Sequence, residues 1–294
     1  MWPRRGTEPA GEPIRRIGWI IGDQLDRGCR FRRPDFSGGG SGLVRYEWVK
    51  DFVNRHQELG LEYSLYRPWK RFDALIFQKS MGERSLEVLR RFRAGGRPAV
   101  FDANVNYYER WGESYYDGMR PTQTQEEHAR TMTREADAVI GDSPYIAEIC
   151  QRLNSRVAWV PDNVNMRLVP PYERSNLSGR ELPLLWSGQA LKLFELLAIE
   201  KILRAYKGSI RLILVTNSLD ALKRWRGDIR SRFENLMSAV PHQFVPFESI
   251  EKLLQLYSQG GIFISPRYMD NAYNMGHTEW KVALAMACGR LSLC

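Results

Sequence analysis

Short apolar runs rich in β-branched and aromatic residues recur along this chain and alternate with stretches whose apolar positions step by three and four. The first series reads IGWII (17–21), LEYSLY (61–66), DALIFQ (73–78), PAVFD (98–102), DAVIGDS (137–143) and VAWVP (157–161). A second reads LPLLWSG (182–188), IRLILVTN (210–217), HQFVPF (242–247) and GIFISP (261–266). Continuous apolar runs bounded by turn residues predict strands, and the periodicity between them predicts helices, near 189–205, 219–238 and 249–258 in the second series. Such alternation is the pattern of parallel sheets with crossover helices. Between the two series, NMRLVPPYERSNLSGREL (165–182) loses its period to Pro170, Pro171, Ser175, Ser178 and Gly179. The predicted class is α/β: two doubly wound Rossmann-like domains facing a cleft, residues 1–168 and 183–294, joined by a linker over 169–182.

In such sheets ligands bind beyond the carboxyl ends of the strands, so the loops there are the ones to inspect. The loop after the first strand runs from Gly22 through SGGGSG (37–42) to a helical pattern starting near Leu43. Gly39 and Gly40 would let backbone amides approach a ligand, although a glycine-serine tract also serves as a spacer. No G-K-[ST] follows, and the spacing is not G-x-G-x-x-G. After DAVIGD, Ser143 is placed to cap a helix with Pro144 at its first position and Ile146, Ile149 and Leu153 along one face.

Length and composition narrow the function. A chain of 294 residues exceeds what one core usually organises, and 43% hydrophobic with 26% charged residues is ordinary for a globular protein. No apolar run approaches the roughly 18 residues a spanning helix needs, and MWPRRGTEPAGEP lacks the apolar segment of a secretory signal. A cytoplasmic location is expected, with peripheral membrane contact left open. Cys29, Cys150, Cys288 and Cys294 are scattered without C-x-x-C spacing, and His56, His128, His242 and His277 form no metal-ligand pattern, so no metal site is expected.

The net charge of +9 favours an anionic partner, whether nucleic acid, lipid surface or phosphorylated small molecule. One basic cluster, Arg27, Arg30, Arg32 and Arg33, lies in the early loop. The other, Lys223, Arg224, Arg226, Arg230 and Arg232, lies opposite the stripe Leu219, Leu222, Trp225, Ile229, Phe233 and Leu236, as on the solvated side of an amphipathic helix. No nucleic-acid motif accompanies the charge, and nucleic acid is not expected as the partner.

The densest candidate chemistry lies near the end. Gly276, His277, Glu279 and Lys281 precede or open a helical stretch, 279–288, whose Ala283, Ala285 and Ala287 suit close packing. A glycine turn, a lysine and the free amides of a helix's first turn make a site for phosphate oxygens, and a diphosphate fits that chemistry.

KVALAMACG (281–289) resembles the K-x-x-E-A-M-A-C-G signature in the C-terminal domain of GT-B glycosyltransferases of the glycogen-synthase-like superfamily. ADAVIGDSPYIAEICQRL with VAWVPDNV (136–164), LPLLWSGQALKLFEL (182–196) and FDANVNYYERW (101–111) resemble further segments of that superfamily. The resemblance implies transfer of a sugar from a nucleotide-sugar donor to a glycan, lipid-linked or small-molecule acceptor, with retention, no metal and no cofactor beyond the donor. It implies that Gly188 lies below the donor phosphates, that Lys192 and Lys281 neutralise the leaving diphosphate, and that Gly39 and Gly40 form the glycine loop. The family's paired glutamates fall at Gly276 and Leu284, which makes Glu279 the expected substitute for hydrogen-bonding the donor ribose. Asp102 and Asn104 are the acceptor-side candidates, and no catalytic base is assigned. The family pattern continues by one or two further βα units beyond LSLC, so the C-terminal domain is read as incomplete. The alternative functions are a GT-B-like scaffold that has lost catalysis and a nucleotide-sugar epimerase.

Overall fold

The computed structural model describes residues 13–22, 25, 40–171 and 181–294. Among these, β1 (Arg16–Ile21), β2 (Glu62–Leu65), β3 (Ala74–Gln78), β4 (Ala99–Ala103), β5 (Ala138–Gly141) and β6 (Val157–Trp159) form a parallel sheet in the order β2-β1-β3-β4-β5-β6. The helices α1 (Trp48–Arg55), α2 (Glu83–Ala94), α3 (Gln123–Glu135) and α4 (Pro144–Gln151) cross between its strands. A second parallel sheet, β11-β10-β7-β8-β9, comprises β7 (Leu182–Gly188), β8 (Ile210–Thr216), β9 (His242–Pro246), β10 (Ile262–Ile264) and β11 (Ser292–Leu293). With it go α5 (Glu200–Ala205), α6 (Gly227–Ala239), α7 (Ile250–Ser258), α8 (Ala272–Met275) and α9 (Trp280–Ala287).

Every apolar run of both series forms a strand, and the inner strands supply side chains to cores on both faces of their sheets. Phe77, Leu89 and Phe101 anchor the first core, and Phe194, Leu212 and Leu214 the second. Each such side chain contributes about 2 kcal/mol on burial. Ser143 caps α4 as its position predicts, accepting the Ile146 amide at 3.2 Å with Pro144 at the first helical position. Thr122 and Gln125 form a reciprocal capping box at the start of α3.

Two predicted helices differ in winding. Ala190–Ile199 is a run of 3-10 turns before α5, because Ala190, Leu193, Leu196 and Ile199 repeat every three residues and all pack into the core. The stretch from 219 to 238 is also two pieces, a 3-10 segment Leu219–Arg224 and then α6. Trp225 is extended between them, its ring buried and its indole donating to Leu191 O at 3.0 Å. The basic residues here face solvent and meet nearby acids: Lys223 with Asp220, Arg226 with Asp228 and Arg230 with Glu234. The middle of the predicted linker, 172–180, lies outside the described residues, as do Gly39, Cys29 and the arginines of the early loop.

The segment after β4 crosses from the first sheet's domain into the core of the second. Tyr115, Tyr116 and Met119 are buried among Trp186, Phe194 and Trp225, and Tyr115 stacks on Phe194 with ring centroids 4.4 Å apart. Glu113 N donates to Asp270 O, Ala272 N to Trp111 O, Asp117 N to Arg224 O and Arg226 N to Tyr115 O. Gly112 is required where this strap meets the second domain: its φ is +89°, and a β-carbon would collide with the Asp270 carbonyl and the Asn271 α-carbon.

Gly112→Ala should therefore lower the unfolding free energy by about 2 kcal/mol or more in urea melts. Gly96→Ala is the control, with φ +70° but open space around it, and should cost only about 1 kcal/mol of backbone strain. Equal losses would show that the strap's close approach is not what constrains Gly112.

Candidate functional site

Both sheets are parallel, so each gathers its loops at one end, and the two ends share a cavity of about 450 Å³. Lys79, Asn104 and Asp142 stand one residue beyond β3, β4 and β5 on one wall. Gly188 and Gln189 at the end of β7, Asn217 beyond β8, and Arg267, His277 and Lys281 after β10 line the opposite side. The strand order reverses at β1/β3 in one sheet and at β10/β7 in the other, where doubly wound folds open a crevice.

The wall from the second domain is cationic. Lys192 Nζ lies 2.9 Å from His277 Nε2 and 5.2 Å from the Tyr273 ring centroid. Lys281 Nζ donates to Ser187 O at 2.8 Å and sits 5.1 Å from the Trp186 ring centroid. That geometry depends on Gly188, where a β-carbon would meet the Lys281 ammonium at 2.9 Å and the Trp186 ring at 2.8 Å. Arg267 donates to Thr278 O at 3.2 Å. Among the described residues, no carboxylate lies within ion-pair distance of Lys192, Lys281 or Arg267, although buried Glu195 attracts both lysines through space. Burial, reinforced by neighbouring cations, pushes Lys192 and His277 well below their ordinary values. Burial likewise brings Lys281 down to about 8. His277 is thus a neutral ring that can accept from Lys192.

The wall from the first domain is polar and close to neutral. Arg45, just ahead of α1, pairs with Asp102 at 3.2 Å and Asp162 at 2.8 Å and donates to Val160 O at 2.5 Å. Asp162 accepts a further bond from Thr278 of the second domain at 3.1 Å. Burial opposes the Arg45 charge, but the surrounding aspartates outweigh it and raise its pKa. Burial outweighs the pull of Arg45 on Asp102, which is raised to about 6. Asp142 is raised to about 8 by burial and by the Asp162 charge, and so carries a proton at neutral pH. Lys79, at φ +53°, is lowered chiefly by burial, with Asp142 opposing.

Of the residues singled out from sequence, Gly188, Lys192, His277, Lys281, Gly40 and Asn104 line the cavity. Three do not. Glu279 precedes the first turn of α9 and is exposed, while Leu284, at the family's glutamate position, is fully buried. Asp102 is buried in its pair with Arg45. Gly276 sits against the first domain, where a β-carbon would lie 2.6 Å from Asn106 Cβ, and its carbonyl accepts from Ser143 at 3.2 Å. Its role is close packing between domains. Lys79, Asp142 and Arg267 went unread because they belong to no motif, yet Lys79 and Asp142 directly follow apolar runs, which marks strand ends.

Two consequences can be measured. The folded protein holds a proton on Asp142 up to about pH 8, whereas an unfolded aspartate releases it near pH 4. Stability from this carboxyl is full below about pH 4 and is lost as pH rises toward about 8, so the melting temperature of the native protein should fall relative to Asp142→Asn across that window. Lys192→Met should stabilise the fold, by on the order of 1 kcal/mol, because it removes a desolvated cation without an acid partner. A variant that melts lower would show that the hydrogen bond to His277 outweighs that desolvation cost.

No protein-family model matches the chain, and no curated protein matches it by sequence. Solved structures do match its fold. HepE from Anabaena, in complex with UDP and glucose, gives a TM-score of 0.61 at 12% identity over 95% of this chain and 80% of that one. An alpha-glucosyltransferase in complex with UDP and a 13-mer DNA gives 0.55 at 11% identity over 95% and 79%. Sucrose-phosphate synthase from Thermosynechococcus elongatus gives 0.54 at 19% identity over 84% and 59%. All three structures are GT-B glycosyltransferases. With two parallel α/β sheets meeting carboxyl end to carboxyl end across one cavity, this chain has the GT-B fold.

Proposed function

We propose that the chain is a glycosyltransferase that holds the diphosphate of a nucleotide-sugar against Lys192, Arg267 and Lys281 and transfers the sugar to an acceptor hydroxyl. The observation that carries this reading is the cationic wall itself: Lys192, Arg267 and Lys281 line one cavity, and among the described residues no carboxylate is in ion-pair contact with them. Such an arrangement costs desolvation and mutual repulsion, and a bound dianion relieves both. As the glycosidic bond breaks, negative charge grows on the leaving diphosphate, and cations already aimed there lower the barrier. The reading assigns that neutralisation to side chains, with no metal or cofactor beyond the donor, and takes retention from the resemblance of residues 281–289. The acceptor is a glycan, lipid-linked or small-molecule hydroxyl. UDP in the HepE and alpha-glucosyltransferase structures supports it as the first nucleotide to try.

A second reading, a module that binds the donor without turning it over, is favoured by buried Leu284 and outward Glu279, which leave the family's ribose acceptor unreplaced.

Thermal-shift screening against UDP, GDP, ADP and dTDP, each with its sugars, should give one selective response, reaching about 2.7 kcal/mol at roughly 100 times the dissociation constant. Lys192→Ala and Lys281→Ala should each weaken that ligand about tenfold or more. No response to any nucleotide would sink the donor reading. Chromatography of the nucleotides then separates the outcomes: released diphosphate marks transfer, a new epimer marks an epimerase, and unchanged donor marks a binding module. Lys281 loses its proton as pH rises through about 8, so affinity for the diphosphate should fall between about pH 7 and pH 9 with net proton uptake on binding. Calorimetry in buffers of different ionisation enthalpy measures that uptake.

A further inference from the structure

We infer that Glu195 is the positioning residue of the cationic wall: a carboxylate set in the core behind Lys192 and Lys281, where it holds their positive charge without occupying the space that the anion fills. That role rests on the donor reading above for what the two lysines meet.

Its placement follows from the winding of the chain after β7. Ala190–Ile199 is a run of 3-10 turns, in which side chains three residues apart stand one above the other, about 6 Å apart along the axis. Lys192 and Glu195 are such a pair. Lys192 lines the cavity. Glu195 does not line it and is 1% exposed, on a stretch whose Phe194, Leu196 and Leu197 are all core. Buried polar atoms in folded proteins nearly always have partners, yet among the described residues the Glu195 Oε1 meets no hydrogen-bond donor. A buried carboxylate left in this state has to be held by charge at a longer range.

The charges around it supply that hold. Burial is the largest influence on Lys192 and on Lys281 of α9 and works against their charge, and Glu195 is the largest that restores it. Arg267, after β10, opposes the charge of both lysines, and Lys281 and Lys79 oppose that of Lys192. The neutral His277 ring lies against Lys192 at 2.9 Å. Burial, with Glu195 as a lesser cause, raises the hydroxyls of Tyr116 in the strap and Tyr273 in α8, so both are uncharged at neutral pH.

Standing back from the cavity is what suits Glu195 to this task. A carboxylate in contact with either lysine would neutralise it and stand where a phosphate oxygen goes. Coulomb attraction falls only as the inverse of distance, so a carboxylate behind the wall still favours the ammonium forms. Each lysine uses one of its three donors inside the protein, on His277 and on Ser187 O, which leaves the others for a ligand. Without Glu195 each lysine would lose its proton at a lower pH, and affinity for an anion would fall sooner as pH rises.

The test compares the native protein, Glu195→Gln and Glu195→Asp by calorimetry with UDP between about pH 6 and pH 10, across the range in which a lowered lysine titrates. The ligand's own titration is common to all three and cancels. Native affinity should fall as Lys281 titrates near about 8. In Glu195→Gln the fall should come about one pH unit lower, as expected for the loss of one nearby opposite charge. Affinity would then be about fivefold weaker near pH 8 and within about twofold of native near pH 6. Glu195→Asp keeps the charge but draws it back by one methylene, and its profile should lie between the other two. An equal loss at every pH would reduce Glu195 to packing and overturn the role, as would a profile unmoved in both variants. If Glu195→Gln does not fold, Glu195→Asp decides alone, and an unmoved profile there overturns the role. Competitive acetylation, read at Lys192 and Lys281 by peptide mass spectrometry, follows the same lysines without a ligand, because the uncharged amine is the nucleophile. Both should take up label at lower pH in Glu195→Gln. If UDP fails to bind while the labelling moves in this way, the donor reading falls and Glu195 keeps its hold on the lysines. If UDP binds and neither profile moves, the donor reading stands and this role falls.

Discussion

The cavity depends on one buried guanidinium. Arg45 binds Asp102 from β4, Val160 O and Asp162 from the segment after β6, and Asp162 passes the connection to Thr278 of the second domain. A charge this buried is tolerable only when it is paired and hydrogen-bonded on several sides. The requirement therefore fixes the segment leading into α1 against β4 and the segment after β6, and one domain against the other. It also brings Asp162 near Asp142, whose burial, reinforced by that charge, keeps its proton in place.

Charge is divided across the cavity by the same logic. On the first domain's wall Arg45 is cancelled by its aspartates, while the second domain's lysines face the space with buried Glu195 attracting them at a distance and neighbouring cations repelling them. Desolvated lysines weaken the fold, and proteins keep such groups where function needs them. The strap from residue 111 to 119 holds the walls in register, since Tyr115 and Tyr116 belong to the second domain's core although they follow a strand of the first. A β-carbon at Gly112 would push the strap off the second domain, and one at Gly276 would collide with Asn106 of the first.

How far the site could be read from sequence follows from how each residue is encoded. Gly188, Lys192, His277 and Lys281 sit in local patterns, a strand followed by a glycine turn or a turn opening onto a helix, and all four line the cavity. Glu279 and Asp102 lay equally close to those patterns, but one stands exposed at the N-cap of α9 and an ion pair holds the other inside. Lys79, Asp142 and Arg267 carry no local pattern. Only the rule that parallel strands deliver their final residues to one edge marks the first two.

The sequence by itself determined the alternation of strand and helix, the parallel pairing and the division into two sheets. Those features rest on the period of apolar side chains and on turn residues, which act over a few positions. Tertiary structure alone decided which polar residues meet, which lysines lose their water, and which loop of one domain becomes core of the other. Those outcomes depend on burial and on distances between residues far apart in the chain, such as Arg45 and Asp162 or Tyr115 and Phe194. No local pattern specifies them.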